Sequence, residues 1–110
     1  MTELCRLHDI PDRTGRGFAL GSGTSRLDIV VVRWGDRVFG YVNSCPHVRS
    51  PLDWTPDRFM SLDGRHIQCA THGALFEVES GRCIHGPCVG RHLTPVPVTL
   101  DGDRITIPDA

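Results

Sequence analysis

Apolar and polar positions along this chain come in short runs, broken every few residues by glycine, proline or aspartate. No stretch keeps a helical repeat over ten residues. Several keep the two-residue alternation of a half-buried strand instead. The clearest unit is Arg26–Asn43, where Leu27, Ile29, Val31 and Val32 lead to Trp34, Gly35-Asp36 turns the chain, and Val38, Phe39, Tyr41 and Val42 return. Two β-branched and aromatic runs about a glycine turn predict a hairpin. Three further units follow: Phe59–Cys69 about Asp63-Gly64, Ala74–Ile84 about Ser80-Gly81, and Leu93–Ile107 about Asp101-Gly102. Leu4–Ile10 and Gly17–Leu20 each predict a short strand. The expected fold is all-β, a sandwich or barrel of antiparallel sheets, in a single domain spanning 1–110.

Composition narrows the function classes. With 12 basic and 13 acidic residues the net charge is −1, and aromatics make up 6%. Neither a basic nucleic-acid footprint nor an anionic-membrane surface is expected. Every basic residue is arginine, which excludes a lysine Schiff base, a P-loop lysine and a lysine general base. The charged first twenty residues and the lack of a long apolar run predict a soluble, cytoplasmic chain. Five cysteines, an odd number, favour thiolate ligands over a disulfide framework.

Two boxes dominate the chemistry: Cys45-Pro46-His47 and Cys69-Ala70-Thr71-His72. Each follows a strand-like run and precedes a bend, at Ser50-Pro51 and at Gly73. Two loops that each offer one thiolate and one imidazole make a four-ligand S₂N₂ site when brought together. That donor set suits zinc or iron–sulfur chemistry. The first pair is tighter than the usual spacing of structural zinc ligands.

Cys-x-His, a spacer, then Cys-x-x-His resembles the pattern of the Rieske iron–sulfur family. Leu52 after the first box, Gly73 and Phe76 after the second, Gly81 in a turn and Gly86-Pro87 as a proline loop add to the likeness. The resemblance implies one [2Fe–2S] cluster held by Cys45, His47, Cys69 and His72, with both histidines on one iron. Two neutral imidazoles in place of two thiolates make the oxidised cluster neutral rather than dianionic, which eases reduction. The 48–68 spacer is slightly longer than is common in the family, and Arg49 stands where many members have glycine. The extra cysteine pair of respiratory and photosynthetic members is replaced by Ser50 and Thr71, and the serine and tyrosine that donate hydrogen bonds to their cluster are replaced by Ala74 and Phe76. Those two absences imply a ferredoxin with a potential toward the low end of about −150 to +300 mV.

By that resemblance the chain is a one-electron carrier, not catalytic on its own. It would take electrons from a flavin-dependent ferredoxin reductase and deliver them to a terminal, aromatic-ring-hydroxylating oxygenase. Two alternatives are a small accessory subunit of an NAD(P)H-dependent reductase, of the nitrite reductase type, and a zinc-stabilised binding module. Cys83 and Cys88 read as small buried apolar side chains, with a disulfide or a second metal as their alternatives. Cys5 reads as core and His85 as a solvated loop residue. Trp34 and Trp54 read as core or rim, with electron gating as the alternative. Asp53, Asp57 and Asp63 read as solvated rather than as a docking rim.

Overall fold

In the computed structural model the described residues are 2–21, 27–44, 52, 59–61, 64–69 and 73–108. Among them the strands in chain order are β1 (Thr2–Arg6), β2 (Gly15–Leu20), β3 (Leu27–Trp34), β4 (Arg37–Val42) and β5 (Ile67–Gln68), then β6 (Leu75–Phe76), β7 (Cys83–His85), β8 (Pro95–Val96), β9 (Thr99–Asp101) and β10 (Arg104–Ile107). They form three antiparallel sheets, ordered β2-β3-β4-β8, β1-β10-β9 and β5-β6-β7. The expected all-β antiparallel architecture is what the chain adopts.

The apolar run of β3 is unbroken from Ile29 to Val32 because the strand is buried on both faces. Ile29 and Val31 enter one core with Cys5, Ile10 and Ile105. Val30 and Val32 enter a second with Tyr41, Leu52, Phe59, Ile67, Cys69 and Phe76. A strand with cores on both sides needs no polar alternation. Each fully buried valine or isoleucine contributes about 1.5–3 kcal/mol, so β3 anchors both halves.

The first predicted hairpin is present in its predicted register. Trp34 pairs with Arg37, leaving Gly35-Asp36 as a two-residue loop. Gly35 sits at φ +63°, the first-position glycine that a type II′ turn requires. In the second unit the described residues form a bridge from Met60 to Ile67, with Gly64 at φ +69°, and Leu62 and Asp63 lie outside the described residues. In the third, Val78 lies in the turn rather than in a strand, and its carbonyl accepts the buried Tyr41 hydroxyl at 2.6 Å.

The last unit differs from a simple hairpin. Its first arm divides: β8 pairs with β4, and β9 pairs with β10 in another sheet. Pro97 lies at the crossing and has no N–H to offer either ladder. Asp101 pairs with Arg104, so the loop is Gly102-Asp103, one residue later than Asp101-Gly102. Asp103 is held there by two bonds from the Arg6 guanidinium, 2.8 and 2.9 Å, which also hold its carboxyl below the usual range. The N-terminal strand is shorter than Leu4–Ile10: β1 ends at Arg6, whose N–H donates to Asp9 at 2.8 Å, and Leu7–Asp9 form a 3₁₀ turn. Gly17–Leu20 lies within β2, which begins two residues earlier.

Tyr41 is the one tyrosine of the sequence, so its titration is read without overlap from another. Burial pushes its hydroxyl from 10.0 to about 12, with the Glu79 carboxylate adding to the shift. The unfolded state therefore loses this proton first. The stabilisation is complete below the unfolded value and declines as pH rises through the folded one. Tyrosinate absorbance is expected to stay flat past pH 10 in the folded protein and to rise near that pH in urea. A folded-state midpoint at the ordinary value would mean that the Tyr41 hydroxyl is not buried.

No helix among the described residues is long and apolar enough to cross a membrane.

Candidate metal centre

The second box opens at the end of β5. Gln68 donates to the Phe59 carbonyl at 2.7 Å and pairs with Leu75 across the small sheet. The next residue, Cys69, is fully buried. Its N–H donates to the Ala74 carbonyl at 2.9 Å, and its carbonyl accepts Gly73 N–H at 2.8 Å. Those two bonds close a short loop whose base is Cys69 and Ala74. Gly73 at φ +69° brings the chain back into β6.

The first box lies beyond the end of β4. Asn43 donates to the Asp28 carbonyl at 2.9 Å, continuing the β3–β4 ladder past its last pair. Its side-chain oxygen accepts Leu52 N–H at 2.8 Å. Leu52 is fully buried in the same core as Cys69. One side-chain amide thus ties together the two ends of the segment that carries the first box.

A third segment meets the second box. Cys83 of β7 lies opposite Phe76, and His85 lies opposite Leu75. The chain then turns at Gly86, φ +103°. A Cβ on Gly86 would stand 2.9 Å from Ala74 Cα and 3.1 Å from Ala74 Cβ. The Gly86-Pro87 turn therefore rests directly on the residue that closes the second box. Ile84 and Val89, 43% and 61% exposed, are two of the large exposed hydrophobic residues, and both flank this turn.

Of the four predicted ligands, Cys69 is described, and it stands where strand end, loop closure and core meet. Cys45, His47 and His72 lie outside the described residues, as do Arg49, Ser50, Asp53, Trp54, Asp57, Asp63 and Thr71. The described surroundings fit an S₂N₂-bound iron–sulfur group. They offer a buried thiol at a loop base, apolar Leu52, Phe59 and Phe76 in the same core, and a glycine turn in backbone contact with that loop. Ala74 and Phe76 are fully buried, and their side chains carry no hydrogen-bond donor. Trp34 stands at the Gly35 end of the hairpin, the opposite end from Asn43. Its ring lies 4.8 Å from the Arg13 guanidinium and packs, partly buried, against the larger core. Cys5 is core, as expected, and burial pushes its thiol up. The Asn43–Leu52 tie and the Gly86–Ala74 contact carry no local sequence signal beyond the Gly-Pro pair.

Comparison with known proteins agrees with this geometry. The family model described as the Rieske [2Fe-2S] domain matches residues 1–101. A curated relative, the ferredoxin component of the naphthalene 1,2-dioxygenase system of Pseudomonas aeruginosa, is 28% identical over 101 residues, 92% of this chain and 88% of its own. The ferredoxin of carbazole 1,9a-dioxygenase from Nocardioides aromaticivorans IC177 has a similar structure. Its TM-score is 0.73 at 25% identity, covering 94% of this chain and 92% of that one. A chain in a complex of reduced oxygenase and oxidised ferredoxin of carbazole 1,9a-dioxygenase has a TM-score of 0.75 at 24% identity, covering 94% and 88%.

Proposed function

The chain belongs to the Rieske [2Fe-2S] domain family, and on that footing we propose that it is a one-electron carrier of an oxygenase system. It would receive electrons from a flavin-dependent reductase and pass them to a terminal oxygenase. The observation that carries this reading is the match to a dioxygenase ferredoxin component over 92% of this chain and 88% of that one. That relative and the 25% identical structural neighbour are both ferredoxins of dioxygenase systems. Together they favour the carrier over the reductase-subunit and zinc-module alternatives. The single domain is read as 1–110, and the cytoplasm is the proposed compartment, since an odd set of five cysteines suits thiols kept reduced.

The ligand set we propose is Cys45, His47, Cys69 and His72. The cluster, when bound, supplies reversible uptake of one electron. The chain's own residues do the rest. Leu52, Phe59 and Phe76 keep the thiolate end dry, and Asn43 and Gly73 hold the two loops closed. With no donor at Ala74 or Phe76 to stabilise added charge on sulfur, the potential falls toward the low end of about −150 to +300 mV.

Protein purified without oxygen is expected to contain about two irons and two acid-labile sulfides per chain and to show visible absorption that bleaches on reduction. Reduced protein is expected to be reoxidised by a terminal oxygenase. A colourless protein with one zinc per chain overturns the reading. The exposed Val89 beside the turn supports docking through that face. Val89→Asp is expected to slow electron delivery about tenfold, roughly 1.4 kcal/mol of lost association, with the visible spectrum unchanged. Unaltered delivery would move the docking face elsewhere.

A further inference from the structure

Cys83 and Cys88 have no part in the proposed ligand set, yet the fold brings them together. Cys83 opens β7, and Cys88 follows the Gly86-Pro87 turn. Their sulfurs are 3.0 Å apart, with both residues inside the buried core. The Cys88 thiol donates to the Cys83 sulfur, and the Cys83 thiol donates to the His85 carbonyl at 3.3 Å. Three backbone bonds frame the pair. Cys83 N–H donates to Arg91 at 2.8 Å, Arg91 N–H to Cys88 at 2.9 Å, and Gly90 N–H to Cys83 at 3.3 Å.

We propose that Cys83 and Cys88 are a redox-active dithiol, which a low-molecular-weight disulfide such as oxidised glutathione converts to a bond across the Gly86-Pro87 turn. The sulfurs have to approach by about 1 Å to reach a bond length of about 2.05 Å, a movement within reach of side-chain rotation. Cys88, at the edge of the turn, attacks one sulfur of the external disulfide and releases one molecule of its thiol. Cys83 then attacks the Cys88 sulfur and releases the second. One external S–S bond breaks and one protein S–S bond forms. The two protein thiol protons end on the two released thiols.

Burial shields both thiols from direct attack, so the rate follows opening of the turn. Gly86 and Gly90, at φ +103° and +92°, bound that turn, and its Gly90 bond is the longest of the three. The ring closed by the new bond spans residues 83–88 alone, so it removes little entropy from the unfolded chain. Such a bond is one that a glutathione buffer forms and reverses, rather than a permanent staple. Once made, it ties down the turn that rests on Ala74. This chemistry does not depend on the electron-carrier reading.

The test uses the native full chain, equilibrated in mixtures of reduced and oxidised glutathione, quenched in acid, alkylated with N-ethylmaleimide and cut with trypsin. Cleavage after Arg82 and Arg91 isolates one peptide holding Cys83, Cys88 and no other cysteine. Its mass is expected to show a bridge, two hydrogens lighter and free of alkyl groups. The bridged share is expected to become the majority as oxidised glutathione is raised and to return to the dithiol in reduced glutathione. Cys88→Ser is expected to give no bridge. A wild-type peptide that stays doubly alkylated across the whole range overturns the proposal. So does one that carries glutathione on both cysteines without a bridge.

Discussion

Replacing Cys69 with alanine is expected to give a colourless chain that holds no iron, while its β-sheet signal in far-UV circular dichroism persists. Cys69 is fully buried, so no water molecule can step in for the missing thiolate. The cluster would then be left with three ligands and an uncompensated ferric charge in an apolar core, which is costly. The fold has much less at stake. Both bonds at the loop base use the Cys69 backbone, not its sulfur, and the volume lost is a single sulfur atom, on the order of 1 kcal/mol. Iron and sulfide analysis beside a thermal melt separates the two effects. Stoichiometric iron and an unchanged visible spectrum in the variant would remove Cys69 from the ligand set.

Gly86→Ala is expected to lower the melting temperature far more than Gly90→Ala. Both glycines have a positive φ, +103° and +92°, so both variants bear a backbone penalty of about 1–3 kcal/mol. They differ in surroundings. A Cβ at Gly90 meets nothing within 4 Å, whereas one at Gly86 stands 2.9 Å from Ala74 Cα. The obstacle is backbone and cannot rotate away, so the turn must lift off the second box, adding about 1–3 kcal/mol of overpacking. For a domain of this size each 1 kcal/mol lowers the melting temperature by about 4–8 °C. The gap between the variants is therefore expected to be about 4–24 °C, with iron lost faster to a chelator in Gly86→Ala. Equal melting temperatures would show that the turn does not bear on Ala74.

What the chain revealed before folding was its local grammar. Leu27–Val42 declared itself because a glycine turn and two β-branched runs lie within a few residues of one another. The Cys69 box could be singled out because residue type and spacing are local properties, and its ligand role is a proposal that the iron content of Cys69→Ala tests. Three features escaped because each joins residues far apart in sequence. Asn43 binds Leu52 through a side-chain amide that any polar residue would resemble on paper. The Leu93–Ile107 arm divides at Pro97 because β4 and β10 compete for it, and neither partner is visible from the arm itself. The turn at residues 101–103 illustrates the limit. Asp101-Gly102 and Gly102-Asp103 are equally good local choices, and Arg6, paired across the sheet from Arg104, supports the second by binding Asp103.

The pairing of β1 with β10 has a consequence for synthesis. Thr2 lies opposite Ile107 and Arg6 opposite Arg104, so β1 leaves the ribosome long before the strand it pairs with. While β2, β3 and β4 can zip together as adjacent hairpins during translation, β1 stays without its ladder partner until β10 has emerged. Its Cys5 and the Ile29–Val31 face it helps cover stay open to solvent for that interval. Slow decoding of the codons between β4 and β10 would lengthen the exposure, and with it the time in which a second nascent chain could capture the bare edge.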